Sequence, residues 1–328
     1  MRRRCVGNAT PGEEVASEAS PVLQEPRNAP DATRTRDTGS SMTEEQLYSV
    51  HKGVYVPKSL HPAESLQYYE QFAFRHDDVL IVTYPKSGTT WMQEIVPLIM
   101  SEGDLTPVQT IPNWDRVPWL EEHRAIVLNL EERPSPRVFA THFHYGMMPQ
   151  SFFTAKPKVI CVLRNPKDVL ASSFHYYGMA SYMVDPGTMD EFMEKFLSGK
   201  VMFGSWFDHV KGWLSAKDKE RIMFISYEEM VHDLKESVSK LSQFLGKSLK
   251  PDMIEKISDH CLFKNMKQNK MSNYSLVPEE FMDLKKSEFL RKGIAGDWKN
   301  NMTAAQSERF DAVYKAKMQD VQFKFVWD

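Results

Sequence analysis

A chain of 328 residues, 41% hydrophobic and 26% charged, can bury a sizeable core and has the composition of a soluble globular protein. Its 41 Lys and Arg against 44 Asp and Glu give a net charge of −3, which argues against a general attraction to nucleic acid or anionic membrane, so any affinity for anions must be local. Three cysteines, Cys5, Cys161 and Cys261, are odd in number and far apart, which argues against a disulfide framework or a Cys-based zinc site, and no apolar run approaches the roughly 20 residues of a membrane span.

Residues 1 to about 45 are dominated by Pro, Ser, Thr, Asn, Asp, Glu and Arg and are expected to be disordered. The opening Met-Arg-Arg-Arg lacks the apolar segment of a signal peptide, and Glu13, Glu14 and Glu18 speak against a mitochondrial presequence. A cytoplasmic, reducing location is expected, with Met42 a candidate alternative start. From residue 46 to 328 a single α/β domain is expected. The apolar runs Val79 to Tyr84, Arg137 to Thr141, Lys158 to Leu163 and Ile222 to Tyr227 read as short strands separated by helical stretches. That alternation predicts βαβ units and a mainly parallel sheet flanked by helices, with ligands beyond the carboxyl ends of its strands. Val231, Leu234, Val238, Leu241 and Leu245 predict one helix over the sheet, and residues 248 to 303 read as a long loop over the site.

Two segments point to anions. In Tyr84-Pro85-Lys86-Ser87-Gly88-Thr89-Thr90-Trp91, a glycine turn between a strand and a helix lets backbone N–H groups converge on a phosphate or sulfate. Lys86 adds a full charge, and Thr89 and Thr90 add hydroxyls. The loop is P-loop-like, but its Lys precedes its single Gly and no leading Gly exists. Arg291-Lys292-Gly293 followed by Gly296-Asp297-Trp298-Lys299 is a second dense basic loop. A ligand with two anionic ends fits both. His142, after the predicted strand ending at Thr141, is a candidate base because imidazole titrates near neutral pH. With His144 it would make half of a metal site, but no third ligand pattern supports one.

From about Val54 to Asp328 the sequence resembles the cytosolic sulfotransferases. The resemblance rests on Y-P-K-S-G-T-T-W at 84 to 91, T-H at 141 and 142, R-N-P-K-D-V-L-A-S at 164 to 172, S-Y-E-E-M at 226 to 230, M-S-N-Y at 271 to 274 and R-K-G-I-A-G-D-W-K-N at 291 to 300. F-G-S-W-F-D-H at 203 to 209 and the final V-W-D are most similar to the hydroxysteroid branch. The resemblance implies 3′-phosphoadenosine-5′-phosphosulfate (PAPS) as co-substrate, no metal, and His142, Lys86 and Ser172 as catalytic residues. It implies a phosphosulfate site at Lys86, Ser87, Gly88, Thr89 and Thr90, and a 3′-phosphate site at Arg164, Ser172, Arg291, Lys292 and Gly293. Trp91 and Phe263, with Tyr227, Cys261 and Met266 nearby, would hold the adenine. Trp114, Trp119, His142, Tyr274 and walls from the Phe174 to Phe203 stretch would receive a small lipophilic hydroxyl acceptor.

Phenol-preferring relatives carry Lys two residues before the catalytic histidine. Ala140 stands here, which favours a hydroxysteroid or aliphatic alcohol, with a phenol as the alternative. The family's dimer motif has Val where this chain has Ala304, so a homodimer through residues 299 to 308 is left open. Two remoter readings are a P-loop kinase, weakened by the order of Lys and Gly, and a non-catalytic PAPS or lipid carrier, opposed by the joint presence of His142, Lys86 and Ser172.

Overall fold

The computed structural model describes residues 42–327. Most of the extension expected to be disordered lies outside the described residues, which open with a helical turn Glu44–Leu47 capped by Thr43. An antiparallel hairpin follows, β1 (Tyr48–His51) and β2 (Val54–Pro57). The central sheet has four parallel strands: β3 (Val79–Thr83), β4 (Val138–Thr141), β5 (Lys158–Leu163) and β6 (Ile222–Ser226), in spatial order β4-β3-β5-β6. Leu80, Ile81, Val82, Phe139, Val159 and Ile160 are wholly buried, as expected where helices cover both faces of a parallel sheet.

Strand ends depart from the apolar runs by single residues, each for a local reason. Arg137 precedes β4 because its guanidinium turns inward to Asp78, with Nε–Oδ1 at 2.9 Å and Nη2–Oδ2 at 2.7 Å. Tyr84 leaves β3 to begin the loop. Ser226 ends β6 and caps the next helix, its Oγ accepting from Glu229 N at 3.1 Å while the Glu229 carboxylate accepts from Ser226 N.

Helix α1 (Thr89–Met100) follows the β3 loop and α2 (Pro166–Met179) follows β5. The single helix expected across residues 231 to 245 is two, α3 (Tyr227–His232) and α4 (Leu234–Phe244). Asp233 breaks it with an extended backbone and caps α4 by accepting from Glu236 N at 2.9 Å. Val231 stays exposed while Leu234, Val238, Leu241 and Leu245 are buried, and α4 packs against α1. The expected loop from 248 to 303 also needs correction. It contains α5 (Pro251–His260), opened by a proline at its first turn, and α6 (Phe263–Gln268), so the irregular part is the stretch from Asn269 to Gly296. Helix α7 (Ala304–Met318) starts at the exposed Ala304.

The parallel register brings Val82 opposite Thr141 and Thr83 opposite Val162. The chain therefore leaves three neighbouring strands at one sheet edge with Lys86, His142 and Arg164 close behind, and Tyr227 follows β6 beside them. Among the described residues no helix is long and apolar enough to cross a membrane.

Candidate active site

The loop after β3 is shaped by two residues of positive φ, Lys86 at 67° and Gly88 at 110°. A Cβ on Gly88 would lie 3.2 Å from the Tyr227 ring, so glycine answers both the backbone angle and the close approach. Helix α1 then presents the positive end of its dipole and its free amides to the loop. Among the described residues Ser87 Oγ and Arg164 Nε are buried polar atoms without a partner, as suits donors to an anion.

Arg164 ties the two basic loops together. Its Nη1 donates to the Lys86 carbonyl at 2.7 Å, its Nη2 reaches the Ile294 carbonyl at 3.5 Å, and its guanidinium lies 4.0 Å over the Tyr227 ring. In the second loop Arg291 Nη2 and Lys292 Nζ each bond the Asp297 carboxylate at 2.6 Å. Burial opposes that charge, but the Lys292, Asn300 and Arg291 hydrogen bonds hold the carboxyl well below the usual carboxylate range. Asp168, on α2, fixes the loop itself by accepting from Gly296 N at 2.7 Å and Trp298 N at 2.9 Å.

The residues expected around adenine converge as well. Trp91 Nε1 donates to the Cys261 carbonyl at 2.9 Å and its ring meets Tyr227 edge-on at 5.5 Å. Cys261 thus enters through its backbone, since burial pushes its thiol well above the ordinary value. Phe263 packs on Gly293, where a Cβ would come within 2.2 Å of the ring, and Met266 is buried beneath.

His142 is held on three sides. Its Nδ1 lies 2.8 Å from the Thr83 carbonyl, which assigns that nitrogen the proton and leaves the Nε2 lone pair free to accept. Trp119 Nε1 donates to Nε2 at 3.0 Å, and Glu121 accepts from the His142 backbone N–H at 2.7 Å. Burial, with Lys86 nearby, pushes the imidazole down to about 4 despite the Thr83 bond, so it stands neutral and proton-accepting at physiological pH. His144 bonds elsewhere, to the Phe203 carbonyl at 2.7 Å, and among the described residues no metal-ligand cluster forms.

The Lys86 ammonium rests between the Tyr176 and Phe289 rings, 4.2 Å from each centroid. Burial, Arg164 and Arg291 together lower it to about 7. Ser172 is half-buried on α2 and its hydroxyl makes no hydrogen bond among the described residues, so no bond joins it to Lys86. Trp114 and Tyr274 pack at 5.2 Å, Tyr274 stacks on Phe289 at 3.7 Å, and the Tyr176 and Tyr182 hydroxyls meet at 2.5 Å. Sequence reasoning missed Thr83, Glu121, Asp168 and Phe289. Thr83, within the apolar run before the anion loop, and Asp168, inside the stretch R-N-P-K-D-V-L-A-S, carried a signal; Glu121 and Phe289 act across long sequence separations.

The sulfotransferase domain, as a family model, matches residues 76–322. The chain belongs to the sulfotransferase family. Among the relatives of this sulfotransferase, Sulfotransferase 2B1 of Mus musculus is 46% identical over 282 residues, covering 86% of this chain and 83% of its own. The 3-beta-hydroxysteroid sulfotransferase of Cavia porcellus is 44% identical over 260 residues, covering 79% and 90%. A crystal structure of mouse sulfotransferase SULT7A1 complexed with PAP superimposes with a TM-score of 0.72 at 32% identity, over 84% of this chain and 95% of that one. The α/β fold with its mainly parallel sheet and the enzyme class expected from the sequence are thereby borne out.

Proposed function

We propose that this sulfotransferase moves the sulfuryl group of PAPS to the hydroxyl of a hydroxysteroid or a comparable lipophilic alcohol by in-line displacement. The observation that carries the reading is His142: a neutral imidazole near Lys86, with Nδ1 fixed by Thr83, Nε2 bonded to Trp119 and the Phe203 ring 5.0 Å away. The unpartnered Ser87 Oγ and Arg164 Nε and the glycine-demanding turn at Gly88 fit a bound phosphosulfate.

PAPS, when bound, supplies the group to be transferred. Arg164, Arg291 and Lys292 hold its 3′-phosphate, with Gly293 and Ser172 alongside, and Trp91 and Phe263 receive its adenine. Lys86 and the α1 amides meet the charge that grows on the leaving oxygen. His142 Nε2 takes the acceptor's proton, and for that the acceptor hydroxyl replaces the Trp119 N–H now bonded there. Relatives named for hydroxysteroids support the acceptor class, as does Ala140, buried and uncharged where phenol-preferring relatives carry Lys. The cytoplasmic location is proposed with it, on the cysteine usage, since Cys161 and Cys261 are both free and buried.

Incubation with labelled PAPS and a panel of hydroxysteroids, phenols and aliphatic alcohols, with and without a chelator, tests the reading. Chelator-insensitive transfer preferring steroids is expected. Preference for phenols would overturn the reading of Ala140, and binding without transfer to any acceptor would overturn the enzyme.

A further inference from the structure

Glu122 is a carboxyl that the proposed reaction does not use. It follows Trp119 and Glu121, the two residues that contact His142 from this segment. Residues 118 to 120 run beside β4, with Ala140 N donating to Pro118 O at 2.9 Å and Leu120 N donating to Ala140 O at 3.0 Å. Glu122 is therefore carried to the acceptor side of the catalytic histidine. It is half-buried and precedes the helical turn His123–Val127, yet its side chain does not cap that turn. Its backbone N donates to Trp119 O at 3.3 Å, but its carboxyl makes no hydrogen bond or ion pair among the described residues. Its carboxyl nonetheless stands near enough to the hydroxyls of Tyr176, Tyr182 and Tyr274 to help raise them, so it shares a cluster with the aromatic walls around Lys86.

A half-buried carboxyl with no protein partner is open to a ligand, and a ligand that pairs with it gains a hydrogen bond without displacing another residue. Resting on the acceptor site proposed above, we propose that Glu122 is a specificity residue that binds a second oxygen function, hydroxyl or carbonyl, on a lipophilic alcohol acceptor. Burial first, and then the neighbouring Glu121, push its carboxyl up to about 8. It is thus uncharged at neutral pH, and a carboxylic acid both donates and accepts, which suits an alcohol or a ketone better than a cation.

The test compares acceptors on one apolar skeleton: a mono-alcohol, the same alcohol with a distant hydroxyl or ketone, and the same alcohol with a distant amine. Dissociation constants for the protein loaded with adenosine 3′,5′-bisphosphate are read from Trp fluorescence, and kcat/KM is measured in parallel. The wild type is expected to favour the two-oxygen acceptor roughly tenfold over the mono-alcohol, the worth of one added hydrogen bond to the half-buried carboxyl. Glu122→Gln should keep most of that ratio, and Glu122→Leu should bring it near one while affinity for the bisphosphate is unchanged. An equal ratio in wild type and Glu122→Leu would overturn the proposal, as would a wild-type preference for the amine that Glu122→Gln abolishes. Turnover of the mono-alcohol by the wild type reports separately on the sulfotransferase reading, because the binding ratio tests Glu122 whether or not transfer occurs.

Discussion

Replacing Asp168 by Ala tests whether the second basic loop is positioned from α2. The carboxylate accepts two backbone N–H groups, Gly296 at 2.7 Å and Trp298 at 2.9 Å, and is itself buried. Hydrogen bonds to a charged group contribute about 1.5–3 kcal/mol each, so the pair is worth about 3–6 kcal/mol before water reaches the half-exposed Gly296 and Trp298. Taking about 3 kcal/mol after that compensation, and about 2 °C per kcal/mol for a domain of this size, Tm should fall by about 6 °C. Arg291 and Lys292 hang on Asp297, which lies between the two anchored amides. Losing the anchor therefore also loosens the cations expected to hold the 3′-phosphate. Calorimetric titration of Asp168→Ala with adenosine 3′,5′-bisphosphate should show at least tenfold weaker binding, and Asp168→Asn, which retains one acceptor oxygen, should fall between. Unchanged affinity alongside the lower Tm would refute the reasoning, since it would make Asp168 a stability residue only.

Three further outcomes follow from the site. His142→Ala should lose about 10²- to 10⁴-fold in kcat with bisphosphate affinity retained, and wild-type kcat/KM in the protein without substrate should fall as pH drops through about 4 rather than 6.5, because the base must be unprotonated; an acid limb near 6.5 would contradict the buried imidazole. Lys86 sits near 7 in the free protein, so an anion that restores its charge should draw up to one proton from solution at pH 8, measurable by titration in buffers of different ionisation enthalpy; proton-neutral binding would show that Lys86 is already charged. His61 is buried and pushed down to about 3, chiefly by desolvation, so the stability it contributes is present above pH 6.5 and lost as pH falls toward 3. Urea unfolding between pH 7 and 4 should show His61→Phe with a slope shallower by up to about 1.4 kcal/mol per pH unit than the wild type, and equal slopes would refute it.

The parts of this fold legible in the sequence are those decided by local pattern. Lys158–Leu163 is buried along nearly its whole length between helices and reads as a strand without ambiguity. The loop at residues 84 to 88 is legible because one glycine in a strand-to-helix turn has few other uses. The break at Asp233 was hidden because Val231 keeps helical spacing with Leu234, and only the capping geometry reveals that it faces solvent. Pro251 and the apolar spacing of Ile254, Ile257 and Cys261 did offer a helix signal, masked by the Asn- and Lys-rich stretch that follows. Trp119 was expected at the acceptor, but its bond to His142 was not legible, since it depends on residues 118 to 120 pairing beside β4 across more than twenty residues of chain. Phe289 over Lys86 is equally invisible, being a contact made by an irregular segment.

Thr83 is the point where these features meet. The β3–β4 register sets Val82 against Thr141, so Thr83, the last residue of β3, and His142, the first residue after β4, come side by side. The Thr83 carbonyl then fixes His142 Nδ1 at 2.8 Å, while its hydroxyl lies 2.6 Å from Thr89 Oγ1, in the first turn of α1, and 3.2 Å from Nδ1. One residue thus joins the proposed base to the helix whose amides face the anion loop, and it does so with a backbone atom and a side-chain atom at once. A slip of one residue in that pairing would turn Thr141 toward the loop and aim the imidazole at the opposite face of the sheet. The position of the base relative to the leaving group is therefore set by strand register, and the sheet edge, more than any loop, fixes the in-line geometry that the proposed transfer requires.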